Sequence, residues 1–248
     1  MKFKTLSAMC LAATSVFAAS SAMAWESEDG AHSTSANVGL FSDYMFRGIS
    51  LTDNKPAIQG GFDYAHSSGL YVGTWASNLS IDSETNIEID VYAGFANEFG
   101  ESGIGYDVGM LRYMYPGAEG SADDGEIDYN EFYGGLSYSY FSAMVFYTDN
   151  FGNGGEDEIY YKLGFDYDLP YGLALSAHYG YTDSDRFDGD ATYTGSDSYS
   201  DYSIGLTKGF AGLDWSVAYV GTDSDGDDFA FGNDEADDRF VVSVSSSF

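Results

Sequence analysis

Between Ile87 and Phe95 every second residue is apolar (Ile87, Ile89, Val91, Ala93, Phe95), and the positions between hold Glu88, Asp90, Tyr92 and Gly94. A period of two marks a β-strand with one apolar and one polar face. The same alternation sets Leu173, Leu175, Ala177, Tyr179 and Tyr181 against Ala174, Ser176, His178 and Gly180. It sets Ile159, Tyr161, Leu163, Phe165 and Tyr167 against Lys162, Gly164 and Asp166, and Leu213, Trp215, Val217 and Tyr219 against Asp214 and Ser216. In the closing residues Phe240, Val242, Val244, Ser246 and Phe248 share one face. Turn residues divide the chain into twelve such strands, near 34–47, 57–65, 70–78, 86–97, 103–115, 127–139, 142–150, 157–168, 173–182, 199–208, 213–222 and 237–248. Each is close to the roughly 9–11 residues that a tilted strand needs to cross a bilayer. The seventh does not declare its faces, since Ala143, Val145 and Tyr147 are hardly more apolar than Met144 and Phe146.

Charge sharpens the pattern. On this parity Asp43, Arg47, Asp63, Glu88, Asp90, Asp107, Glu131, Lys162, Asp166, Asp201, Asp214 and Arg239 all take the polar face. Only Arg112 and Lys208 share parity with apolar residues, and both sit near strand ends, where a long basic side chain reaches the interface at little cost. Links after even-numbered strands are short, as at His66-Ser67-Ser68-Gly69 and Leu169-Pro170-Tyr171-Gly172, and links after odd strands are mostly longer. These features predict an all-β fold, a transmembrane antiparallel up-and-down barrel of twelve strands with short periplasmic turns and longer acidic external loops. Phe248 then anchors the closing strand at the periplasmic rim, and that strand pairs with residues 34–47.

The first residues add a compartment. Lys2 and Lys4 precede an apolar stretch from Leu6 to Ala19, and Ala22-Met23-Ala24 offers small residues for cleavage, so residues 1–24 read as a signal peptide. Residues 25–33 then form an acidic periplasmic segment and 34–248 the barrel. The single cysteine, Cys10, lies in the signal, which leaves the mature chain without thiols. All 40 acidic residues follow Ala24 and two of nine basic ones precede it, giving a mature net charge of about −33. Nucleic acid is excluded as a partner, and no phosphate-binding loop or cofactor motif appears. The 22 Tyr, 18 Phe and 31 Gly fit many strands with aromatic girdles. Expected partners are outer-membrane lipid and lipopolysaccharide, the barrel-assembly machinery through the last strand, and small solutes.

One likeness carries a family. Ser42-Asp43-Tyr44-Met45-Phe46-Arg47-Gly48-Ile49-Ser50, followed by Pro56-Ala57-Ile58-Gln59-Gly60-Gly61-Phe62-Asp63-Tyr64, resembles the opening hairpin of the TorF-like putative porins. Trp75-Ala76-Ser77-Asn78, Tyr115-Pro116-Gly117 and the final strand follow in the order of that family. The resemblance implies a signal-bearing outer-membrane barrel of porin type, and brings no binding residues with it.

The residues themselves support a pore for passive diffusion of small hydrophilic solutes. Its expected lining is Asp43, Arg47, Asp63, Glu88, Asp90, Asp107, Glu131, Lys162, Asp166, Asp214 and Arg239, whose acidic excess favours cations. Twelve strands lies between filled barrels and open ones, so strand number leaves the lumen open or closed. Arg47 could shape a constriction, or form a structural ion pair with Asp43 four residues earlier. A second reading is a closed barrel with a binding, adhesion or structural role through its acidic loops. Asp223, Asp225, Asp227 and Asp228 supply hard oxygens of the kind Ca²⁺ takes, as does the stretch 183–188, but neither fits an EF-hand loop, and a solvated acidic surface accounts for them. A third reading, a lipid-modifying enzyme, rests on Ser176 and His178 on one strand face. It lacks an orienting third group and an oxyanion stabiliser, so no catalytic residue is assigned.

Overall fold

In lipid every backbone amide and carbonyl needs a partner, and a chain without an apolar helix long enough to span can meet that demand only by closing a sheet on itself. The computed structural model describes residues 25–81, 85–118, 127–185, 195–230 and 234–248. Twelve antiparallel strands run in chain order: β1 (His32–Phe41), β2 (Ala57–His66), β3 (Leu70–Asn78), β4 (Ile87–Glu98), β5 (Ile104–Met114), β6 (Tyr129–Tyr138), β7 (Phe141–Thr148), β8 (Glu158–Leu169), β9 (Leu173–Ser184), β10 (Ser198–Phe210), β11 (Leu213–Thr222) and β12 (Arg239–Ser247). Each pairs with its neighbours, and β12 returns to β1 by setting Ser243–Ser247 against Phe41–Asn37. The seam continues through Phe248, whose amide and carbonyl both bond Ala36. A short strand, Trp25–Glu26, lies outside the barrel against Ser33 and Thr34.

The expected faces hold along the wall. Leu40, Ile58, Phe62, Phe132, Leu136, Leu163, Ile204, Phe240 and Val242 are exposed on the outside, where acyl chains would cover them. In β7, Phe141, Ala143, Val145 and Tyr147 point out, while Met144 and Phe146 are buried inside. Arg112 meets Asp128 at 3.2 Å near a rim, and Lys208 is exposed near the other. Short turns join β2–β3, β4–β5, β6–β7, β8–β9 and β10–β11 at one rim, and longer connections gather at the other.

One expectation fails at the first long connection. The first strand does not run to Arg47; it ends at Phe41, and residues 42–56 leave the wall and fold into the lumen. There Met45–Phe46 and Ile49–Ser50 form a small inner hairpin. Arg47 (φ 48°) and Gly48 (φ 84°) are its two central residues, the positive-φ pair of a tight hairpin turn. Asp43, Met45 and Arg47 keep a period of two, so the stretch reads as more wall, but its polar side chains find their partners across the lumen. Asp43 and Arg47 therefore do not pair with each other, as the partners given below show.

Tyrosines fill the interior beside this hairpin. A Cβ on lumen-facing Gly73 would meet the Tyr92 ring at 2.5 Å, and one on Gly94 would meet Val108 O at 2.7 Å, with Tyr71 closer still. Glycine on one strand thus seats a tyrosine from the next, which is where much of the Gly and Tyr content goes, in addition to the outer aromatics. At the hairpin tip a Cβ on Gly48 would stand 2.6 Å from Thr222 Cγ2 and 2.8 Å from Asp201 Cβ, in a backbone region side chains rarely adopt. Gly48→Ala should lower stability by about 1–3 kcal/mol through strain and overpacking. Urea unfolding in lipid vesicles measures it, and an unchanged midpoint would contradict so close a seat.

Candidate functional site

A guanidinium taken out of water must find acceptors for its donors. Arg47 is 3 % exposed, and its two Nη atoms go to different strands: Nη2 to Glu131 Oε1 on β6, and Nη1 to Glu158 Oε1 on β8 at 2.5 Å. Its Cζ lies 4.4 Å from the Tyr160 ring centroid, 4.8 Å from that of Phe46 and 5.9 Å from that of Phe146. A planar cation bridging two carboxylates over an aromatic face is an arrangement that suits arginine far better than lysine. Tyr113 completes it by donating to Glu131 Oε2 at 3.0 Å.

Asp43 fastens the other flank of the hairpin. It accepts from Ser50 Oγ at 2.6 Å and Thr52 Oγ1 at 2.7 Å, and Arg239 Nη1 on β12 reaches it at 2.9 Å. Tyr44 donates to Glu88 Oε1 on β4 at 2.6 Å and packs edge-on against Trp75, 5.3 Å between centroids. With Gly48 seated against β10 and β11, the hairpin touches the wall all round. Beside it remains a cavity of about 40 Å³, lined by Phe41, Met45, Gln59, Ala218, Val241 and Ser243 among others. That is room for little more than a water or two.

Towards the long-loop rim the inward charges Asp43, Arg47, Glu88, Asp90, Glu131, Glu158 and Asp201 are buried, and Arg239 nearly so. Nearer the short-turn rim, Asp63 takes the Tyr92 hydroxyl and Asp107 the Tyr71 hydroxyl at 2.6 Å, itself 2.5 Å from Tyr133 Oη. Lys162, with Asp201, Asp166 and Arg47 as its charged neighbours, lies towards a more open region where Asp214 is part-exposed and Asp166 exposed. The eleven residues expected to line a pore sit on the inward face, most of them buried, with Asp166 exposed and Lys162 and Asp214 part-exposed. Two further buried inward acids stand outside that expected lining: Asp201, whose parity places it on the polar face, and Glu158, which shares parity with Tyr160 and Lys162.

His178 finds partners that its own strand does not supply. Nε2 lies 2.7 Å from Asp201 Oδ1 and Nδ1 2.8 Å from Ser203 Oγ, both across on β10, while Ser176 Oγ has no partner. This supplies an orienting acid and a hydroxyl. But Ser203 sits between His178 on β9 and Val220 on β11 in continuous ladders, so its surrounding amides are committed to the sheet. Asp223 and Asp228 accept amide hydrogens from Ser200 and Ser196, each at 3.0 Å, tying two long connections together. Among the described residues no three His, Cys, Asp or Glu converge as a metal requires. Of the second acidic stretch, residues 186–188 lie outside the described ones.

Two solved structures share the architecture. "NanC porin structure in rhombohedral crystal form" matches with 10 % identity and a TM-score of 0.52, covering 86 % of this chain and 97 % of that one. "KdgM porin in complex with disordered oligogalacturonate" matches with 9 % identity and a TM-score of 0.50, over 87 % and 99 %. At such identity the likeness speaks for the fold, that of porin barrels. The model of a family described as "Bacterial protein of unknown function (Gcw_chp)" matches residues 26–248. The TorF-like likeness of the opening segment stays a resemblance beside it. No curated protein matches the sequence.

Removing one partner of the buried clamp leaves a charge stranded. Glu131→Ala should lower stability by about 3–5 kcal/mol. Lys55→Ala, which removes an exposed pair with Asp53, should leave the urea midpoint unchanged. Equal effects of the two substitutions would contradict a buried clamp.

Proposed function

The chain belongs to the Gcw_chp family of bacterial proteins, and from that premise and its barrel we propose that it is an outer-membrane channel for passive diffusion of small hydrophilic solutes, preferring cations. The short turns face the periplasm and the long acidic loops face outward, following the usual sidedness of such barrels. The observation that carries the preference is the balance of charge inside. Among the described residues the two inward arginines are already matched, Arg47 by Glu131 and Glu158 and Arg239 by Asp43, while Lys162 has Asp201 and Asp166 as neighbours of opposite charge. Glu88, Asp90, Asp107 and Asp214 have no basic partner among the ion pairs of the described residues. Asp90 Oδ1 is buried without a hydrogen-bond partner. Acidic walls of this kind attract cations and repel anions. The KdgM porin whose structure holds oligogalacturonate carries an acidic sugar chain; the present lumen has the wrong sign for such a passenger.

The inner hairpin favours a second reading, a closed barrel that acts through its acidic loops, and conductance separates the two. Under a KCl gradient in planar bilayers, the reversal potential should take the sign of cation permeation. Asp63→Asn combined with Asp107→Asn should move it towards zero. Anion-selective current would overturn the preference, and bilayers that stay silent even with Arg47→Ala would favour the closed barrel.

A further inference from the structure

The Arg47 clamp has the make-up of a ligand site whose occupant is part of the same chain. Its wall is complete without the hairpin: Glu131 and Tyr133 come from β6, Phe146 from β7, and Glu158 and Tyr160 from β8, with Tyr113 on β5 fixing Glu131. These strands are joined by full ladders, so the backbone positions that carry these side chains are set by the wall and not by the hairpin. The hairpin contributes the cation, reached through a two-residue turn in which Arg47 adopts an uncommon positive φ. Two carboxylates on separate strands, each taking one of the two terminal nitrogens of a planar cation that lies over a tyrosine face, suit a guanidinium better than a spherical ion or an ammonium.

We propose that Glu131, Glu158, Tyr160 and Phe146 form a binding site for guanidinium-bearing solutes, which Arg47 occupies as a tethered stand-in, so that such a solute opens the channel by displacing the inner hairpin. The proposal rests on the channel reading and names its solute class. Displacement exchanges one guanidinium for another, so neither carboxylate is left unpaired and the burial penalty that holds the hairpin shut is not incurred. A sodium ion cannot make that exchange, because it lacks the planar fork and the aromatic stacking. The tether gives Arg47 an effective concentration in the millimolar range or above, so a free competitor must reach similar levels.

The experiment uses the full refolded barrel, with guanidinium chloride as the ligand at about 50 mM, non-denaturing and comparable to the tethered concentration, against equal NaCl. In bilayers, guanidinium should raise the open probability of the unaltered protein several-fold over sodium. Arg47→Ala should be open already. In detergent, the melting temperature of Arg47→Ala should rise by several degrees in guanidinium relative to sodium, with no such rise in the unaltered protein, whose site is filled, or when Glu131→Gln and Glu158→Gln are added. A melting rise in silent bilayers would keep the binding site and overturn the channel. Current that flows equally with both cations, and no selective melting rise, would keep the channel and overturn the site. Should Arg47→Ala not refold, the cation comparison on the unaltered protein decides by itself.

Discussion

A charge held inside a membrane barrel needs a partner of opposite sign, and in this protein one arginine meets that need with acids from two separated strands. The Arg47 clamp fixes the inner hairpin, the hairpin fixes Tyr44 on Glu88 and Asp43 on Arg239, and these together pack the half of the lumen near the long loops. Desolvation makes the arrangement all-or-none: with both acids in place the guanidinium is satisfied, and with one missing the hairpin carries a buried cost. The wall itself needs none of this. Its ladders close because lipid leaves the backbone no other acceptors.

Much of this was legible in the sequence because lipid is a demanding solvent. A period of two with charges confined to one parity gave strands, faces and topology, since a slip of one residue would turn Glu88 or Asp214 into the membrane. What was not legible depended on contacts between distant strands. The stretch Asp43-Tyr44-Met45-Phe46-Arg47 keeps the alternation of a wall strand, and nothing local says that its polar residues are answered by Glu131, Glu158 and Arg239. Met144 and Phe146 are ambiguous for the same reason, since their inward course is set by register against Gly135 and Tyr133 on β6 and Lys162 and Tyr160 on β8. His178 was read with Ser176 along one strand, whereas register across to β10 puts Ser203 opposite it and Asp201 within reach. A single sequence shows neighbours along the chain and hides neighbours across the sheet.

The composition also takes on a different sense. High tyrosine in a barrel suggests rings at the two interfaces, and Tyr138, Tyr171 and Tyr179 are indeed exposed. Yet Tyr44, Tyr71, Tyr92, Tyr113, Tyr129, Tyr133 and Tyr160 are buried inside. Several of their hydroxyls cap carboxylates, so a residue type that looks like a lipid anchor serves as the solvent of a polar interior. The acids survive burial because phenols replace water around part of each carboxylate.

The departure of the chain from the wall at Phe41 leaves its mark on the barrel's seam. β12 meets β1 from Ser243 to Ser247, with Phe248 on Ala36 below, and above that the join is carried by Ser42 against Val242 and by Asp43 on Arg239, both on the segment that leads into the hairpin. The stitch that fastens the seam and the strap that crosses the lumen are one stretch of chain. The shortest ladder of the cylinder thus lies beside the segment that crosses its lumen, and a change in one is a change in the backbone of the other.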